Sequence, residues 1–189
     1  MRASSLRRSL LAAAALALAV AAPARAELRI SDLAVFLNDH EVTVHVVLLG
    51  AVPEAFQEGI QSGIPAHVRF TVELWQYNRH WRDQRLTVQL VERSLVYNVV
   101  TKEFRVTSLK GEVRPVHITR DVRDAQRVLS ELRGLKMTPA SALDPNAVIY
   151  ARVNAEAALN GENTFLSRLA GTAEQTSRQS DYRTIQRVQ

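Results

Sequence analysis

The chemistry available to this chain rests on few residues: five histidines, no cysteine and one short basic, aromatic run. Metal binding needs His, Cys or carboxylates at ligand spacing. His40, His45, His67, His80 and His117 form no His-x-His or His-x-x-x-His pair, so neither a metal site nor a cofactor is expected. His45 and His67 fall on neighbouring predicted strands and can face each other, although two solvent-facing histidines explain them more simply. A serine nucleophile of the Gly-x-Ser-x-Gly type needs its serine at the centre of the motif. Ser62, in Gly59-Ile60-Gln61-Ser62-Gly63, is one residue out of frame and reads as part of a helix-ending turn. His80 and Asp83 make a base-and-orienter pair for which the sequence places no nucleophile. Neither a Gly-x-Gly-x-x-Gly run nor a P-loop occurs. No catalytic residue is therefore assigned.

The strongest candidate is an interaction surface: Trp75, Tyr77, Arg79, His80, Trp81 and Arg82. Aromatics and arginines are the residues from which binding hot spots are built. Large aromatics also dominate cores, and Trp75 and Tyr77 lie on the strand face opposite Phe70, where a helix is expected to cover them.

The element that must carry this run is a β-hairpin. Val68, Phe70, Val72 and Leu74 alternate with His67, Arg69, Thr71 and Glu73, which places the apolar set on one strand face. Asn78 to Asp83 has the Asn/Asp content of a turn. Leu86, Val88 and Leu90 resume the alternation, and Val91, Leu95 and Tyr97 continue it out of phase. A one-residue bulge near Glu92 is the expected cause.

Around this hairpin the pattern predicts an earlier hairpin from Leu28 to Leu49 and a short helix after Pro53 that ends at Gly63. Strands at Phe104–Val106 and Val113–Ile118 follow, the latter held to an edge by Pro115. A helix capped by Thr119 or Asp121 carries Val122, Ala125, Leu129 and Leu132 as its stripe and stops at Gly134. Residues 137–146 read as a loop, and Ile149 to Leu159 as a last long strand. The fold class is α+β, a mostly antiparallel, sandwich-like or strongly curved sheet of about six or seven strands with two main helices. Residues 27–162 form one domain. Residues 163–189 carry few large apolar side chains and are expected to be a largely disordered polar tail.

The first 26 residues have a basic start (Arg2, Arg7, Arg8), an uncharged apolar run from Leu10 to Ala22, and Ala24-Arg25-Ala26 at a cleavage position. This is the pattern of a secretory signal peptide. The run falls short of the roughly 20 apolar residues that span a bilayer, so no stable membrane insertion is expected after cleavage. Arg2, Arg7, Arg8 and Arg25 leave with the signal and no acid does. Lys+Arg then fall from 24 to 20 against 19 Asp+Glu, a net charge of +1. Nucleic-acid binding needs a concentrated basic surplus, and none is expected here. Without cysteine, stability must come from an ordinary core rather than disulfides.

Three stretches together, Phe56-Gln57-Glu58-Gly59-Ile60-Gln61-Ser62-Gly63-Ile64-Pro65, Phe70-Thr71-Val72-Glu73-Leu74 and Arg79-His80-Trp81-Arg82-Asp83, resemble an uncharacterised family of exported bacterial proteins classed as a domain of unknown function. The resemblance runs from about Leu28 to Leu159 and does not extend to the tail. It implies a periplasmic, single-domain protein and carries no catalytic residues. The expected function is a non-enzymatic binding or scaffold module of the cell envelope, partnered by a protein or cell-wall component. The alternative is a carrier for a lipid or other apolar ligand, held in a cavity between the sheet and the Val122–Leu132 helix. A hydrolase using His80 and Asp83 is the weaker alternative.

Overall fold

The computed structural model describes residues 27–37, 40–163 and 165–184. The predicted signal segment and residues 185–189 of the predicted tail lie outside the described residues. In chain order the elements are β1 (Arg29–Leu37), β2 (Glu41–Leu49), α1 (Glu54–Gln61), β3 (Ala66–Gln76), β4 (Gln84–Asn98), β5 (Glu103–Lys110), β6 (His117–Thr119), α2 (Val122–Ser130), β7 (Glu131–Pro139), β8 (Val148–Leu159), α3 (Phe165–Leu169), β9 (Ala173–Gln179) and β10 (Arg183–Thr184).

The class is α+β, with every strand pairing antiparallel. The larger sheet runs β10-β8-β3-β4-β5-β6, and β9 lies along β8. The smaller sheet is β1-β2-β7. The two sheets meet face to face. Val42, Val44, Val46 and Leu48 of β2 share one buried cluster with Val68, Phe70, Val72 and Leu74 of β3 and with Ile149, Ala151, Val153, Ala155 and Ala157 of β8. Each set recurs at every second residue, so pleating alone turns it inward. The alanines of β8 let the facing side chains approach closely.

One margin of this sandwich is tied by Arg178 of β9, which donates to the carbonyls of Ile30 (3.1 Å) and Ser31 (2.6 Å). At the other margin Arg93 of β4 is 1% exposed. Its Nε donates to Glu112 at 2.6 Å, and its Nη1 donates to the carbonyls of Val128 (2.6 Å) and Glu131 (2.7 Å). These carbonyls belong to the end of α2, where helical partners run out. A buried guanidinium therefore finishes the helix and joins it to the larger sheet.

Four expectations change. Gly134 does not end a helix: α2 stops at Ser130 and β7 begins at once. Leu132 faces the core from a strand, and Gly134 (φ +64°) sits in the irregular pairing opposite His45. Strand pairing with β2 outweighs a helical stripe that three-residue spacing had extended one turn too far. The predicted loop thus begins as β7, which runs to Pro139.

The β3–β4 register runs unbroken through Glu92 from Leu95 to Thr87. Near Glu92 the extra residue is Leu109 on β5; within β4 it is Leu86. The phase change in β4 is a real change of face: Val91 and Leu95 point into the core and Val88 and Leu90 lie on the outer face, while the bulged Leu86 packs against the core.

The C-terminal segment is not wholly without order: β9 pairs with β8 from Ala158 to Arg152, and β10 continues along it. Backbone pairing to an existing edge needs little apolar surface, which is why composition missed it. With β7, β9 and β10 the strands number ten among the described residues.

Candidate interaction site at the hairpin tip

β4, at 15 residues, is longer than β3, β8 and β5, and the connection from β3 to β4 passes beyond the end of β8. The last sheet contacts of β3 are Gln76 opposite Ile149 and the Tyr77 N–H donating to the Val148 carbonyl at 2.8 Å. Residues 78–83 project past that point.

Asp83 organises this loop. One of its oxygens accepts the backbone N–H of Asn78 at 3.1 Å, closing the loop across its neck. The other accepts the Tyr150 hydroxyl at 2.7 Å, which anchors the loop to β8. The Asn78 side chain accepts the His80 N–H at 3.0 Å, an Asx turn. The donors around Asp83, the Tyr150 hydroxyl first and the Asn78 amide second, hold its carboxyl below the ordinary aspartate value. Burial first, and the Asp83 hydrogen bond second, push the Tyr150 phenol up to about 12.

Behind the loop lies an aromatic platform. Trp75 and Tyr150, partners across β3 and β8, stack with ring centres 6.5 Å apart and planes 10° from parallel. The Arg152 guanidinium sits 4.9 Å above the Trp75 ring, a cation–π arrangement. The Trp75 indole donates to Glu73, whose other oxygen accepts from Arg85 at 3.0 Å. Tyr182, brought back by the segment between β9 and β10, meets both Tyr77 and Tyr150 edge-on at 5.2 Å. Trp75 and Tyr77 are thus covered in part by the C-terminal segment and by Arg152, not by a helix.

The six predicted surface residues divide accordingly. Trp75 is half-buried in the platform, and Tyr77 lies at its margin. Arg79, His80, Trp81 and Arg82 are exposed on the loop, with Trp81 80% exposed. Sequence reasoning missed Tyr150, Arg152 and Tyr182. Alternation along β8 puts Tyr150 and Arg152 on its outer face, but only the register places them opposite Trp75 and Glu73. Tyr182 lay in a segment read as disordered.

Both oxygens of Asp83 are turned to Asn78 and Tyr150, and no described contact joins Asp83 to His80. His45 and His67 do not face each other, since they lie in different sheets and each alternates with buried residues, on the face turned away from the shared core. His45 packs on Phe36, ring centres 4.6 Å apart, and His67 Nδ1 lies 3.6 Å from Glu92. His117 meets Asp124 at 2.6 Å, and this contact first and Arg127 second hold the Asp124 carboxyl below its usual range. Among the described residues no group of three or more His, Cys, Asp or Glu is arranged to hold a metal ion. Among them, too, no helix is long and apolar enough to cross a membrane.

The family described as Domain of unknown function (DUF4390) matches residues 25–184. The chain belongs to this family. The match takes in the hairpin, the platform strand β8 and the segment that carries Tyr182. Searches of curated proteins and of solved structures find no match.

Proposed function

We propose that this DUF4390 chain is an exported, periplasmic binding module of the cell envelope that grips a partner protein with the tip of its β3–β4 hairpin. The observation that carries the reading is Trp81, 80% exposed between Arg79, His80 and Arg82 on a loop locked at both ends by Asp83. A large exposed indole is poorly explained by folding, because it removes little apolar surface from water. On an ordered loop it costs little further entropy to use, which is the advantage of preorganised binding surfaces. The two guanidiniums favour a partner whose contact surface is acidic, and such charge pairing raises association rate and specificity.

A photoreactive residue placed at His80 in producing cells tests the proposal. The expected result is one defined envelope adduct that weakens when Trp81 is replaced by alanine and is not formed from a control position at Thr43 on the smaller sheet. Equal adducts from both positions, or none from the tip, would overturn it.

A further inference from the structure

A second surface with unpaired charge lies at the opposite end of the molecule from the tip. β3 begins at Ala66, opposite Leu159, and ends beside the tip at Gln76, opposite Ile149. It is 11 residues long, so at about 3.3 Å per residue the two ends stand roughly 33 Å apart. At the far end the first turn of α1 and the turn between α3 and β9 leave a notch of about 440 Å³, which is room for an indole on the roughly 300–1,000 Å³ scale of small-ligand sites. Pro53, Glu54 and Ala55 line one wall, and Leu169, Gly171 and Glu174 line the other. Leu169 is 77% exposed, and Leu166, one turn earlier on α3, is 72% exposed. The groove between α1 and α2, where a carrier would hold its ligand, is a different place and is already satisfied. There Ile60 and Leu95 are buried, Glu103 pairs with Arg120, and Asp121 accepts the Arg123 N–H.

We propose that the tip of one copy seats in the notch of the next, so that this chain associates with itself head to tail. The proposal rests on the tip reading above and names a second copy as the partner. Charge selects this occupant. Glu54 and Glu174 make the notch acidic, and among the described residues neither takes part in an ion pair. One Glu174 oxygen accepts the Leu28 N–H at 2.9 Å, which fixes the carboxylate in place without neutralising it. Arg79 and Arg82 of the tip are likewise outside every ion pair among the described residues. Two unpaired guanidiniums at one end therefore match two unpaired carboxylates at the other.

Shape selects it as well. Trp81 stands on a loop that projects past β8, whereas the notch is recessed between two elements. Seating the indole against Ala55 and Leu169 removes apolar surface from water on both partners, with Arg79 and Arg82 placed beside Glu54 and Glu174. Tip and notch are different surfaces at opposite ends, so the contact repeats in open chains and does not close as a two-fold dimer. One protruding tip buries less than the about 1,200 Å² of a standard stable complex, so each contact is weak.

The test is sedimentation velocity of the purified protein up to about 1 mM, a range set by so small an interface. The average mass should grow with concentration past the dimer. Trp81→Ala and Leu169→Lys, both at exposed positions, should each weaken association about 30-fold while the protein stays folded in thermal melts. Mixing the two variants should restore association, because Leu169→Lys keeps an intact tip and Trp81→Ala an intact notch. The mixture should stop at a dimer, since neither free end can extend it. A protein monomeric throughout, growth of the unaltered chain that stops at a dimer, or a mixture no more associated than either variant alone would each overturn the head-to-tail contact. Under the proposal the cross-linked adduct from position 80 has twice the mass of the chain. A monomeric protein whose adduct holds a different envelope protein loses the second copy and keeps the tip reading. No adduct from the tip removes both.

Discussion

Replacing Trp81 with alanine separates a binding residue from a structural one. A fully buried tryptophan covers up to about 250 Å², and Trp81 is 80% exposed. About a fifth of its surface, roughly 50 Å², is therefore covered. At about 25 cal/mol per Å² this contributes no more than about 1 kcal/mol to folding, and compact unfolded chains reduce the figure further. Emptying a buried tryptophan site would instead cost about 3–5 kcal/mol. In a domain of this size 1 kcal/mol moves the melting temperature by about 2–4 °C. Differential scanning calorimetry of Trp81→Ala should show a shift inside that range. A hot-spot residue is worth about 2 kcal/mol or more in binding, so affinity for the cross-linked partner should fall about 30-fold, read by titration calorimetry. A drop of 6 °C or more would show that the indole is packed and that its exposure does not describe the protein in solution. An unchanged melt with unchanged affinity would refute the tip reading itself.

Four further outcomes test the structure. Spectrophotometric titration should show one tyrosine, Tyr150, resisting ionisation until about pH 12, and Asp83→Asn should lower that midpoint without returning it to 10, because burial remains. The raised phenol contributes stability that is full below about pH 10 and is lost as pH climbs through about 12. The depressed Asp83 carboxyl works in the opposite direction: its contribution is present above the ordinary carboxylate range and disappears as pH falls through its lowered value, read as loss of Asn78 amide protection in hydrogen exchange. Arg93→Ala should destabilise the fold by about 3–5 kcal/mol in urea melts, since Glu112 and the carbonyls of Val128 and Glu131 lose their shared donor. Gly111→Ala should cost at least about 1–3 kcal/mol, because Gly111 has φ +85° and an added Cβ would stand 1.9 Å from the Leu90 carbonyl oxygen.

Local pattern decided the elements whose reason for existing is local. The inward faces of β2, β3 and β8 follow from two-residue alternation, and the first turn of α1 follows from Pro53. The exposed position of Arg79, His80, Trp81 and Arg82 follows from a break in alternation rich in turn residues. Three features were settled only by the assembled fold. The stripe that ended at Leu132 has helical spacing throughout, and only the pairing of β7 with β2 ends the helix at Ser130. The polar segment from Ala173 has too little apolar surface to order itself, but the unpaired edge of β8 offers it backbone partners. Arg93 falls between Val91 and Leu95 in the inward phase of β4, so alternation by itself turns a charge toward the core. Its burial is tolerated because the end of α2, some 35 residues away in the chain, presents carbonyls to it. The platform beneath the tip obeys the same rule. Trp75, Tyr150 and Tyr182 come from three distant parts of the sequence, and only the register of β3 on β8 and the return of the C-terminal segment bring their rings together. Periodicity reports which way a side chain points, whereas what it meets there is a property of the tertiary structure.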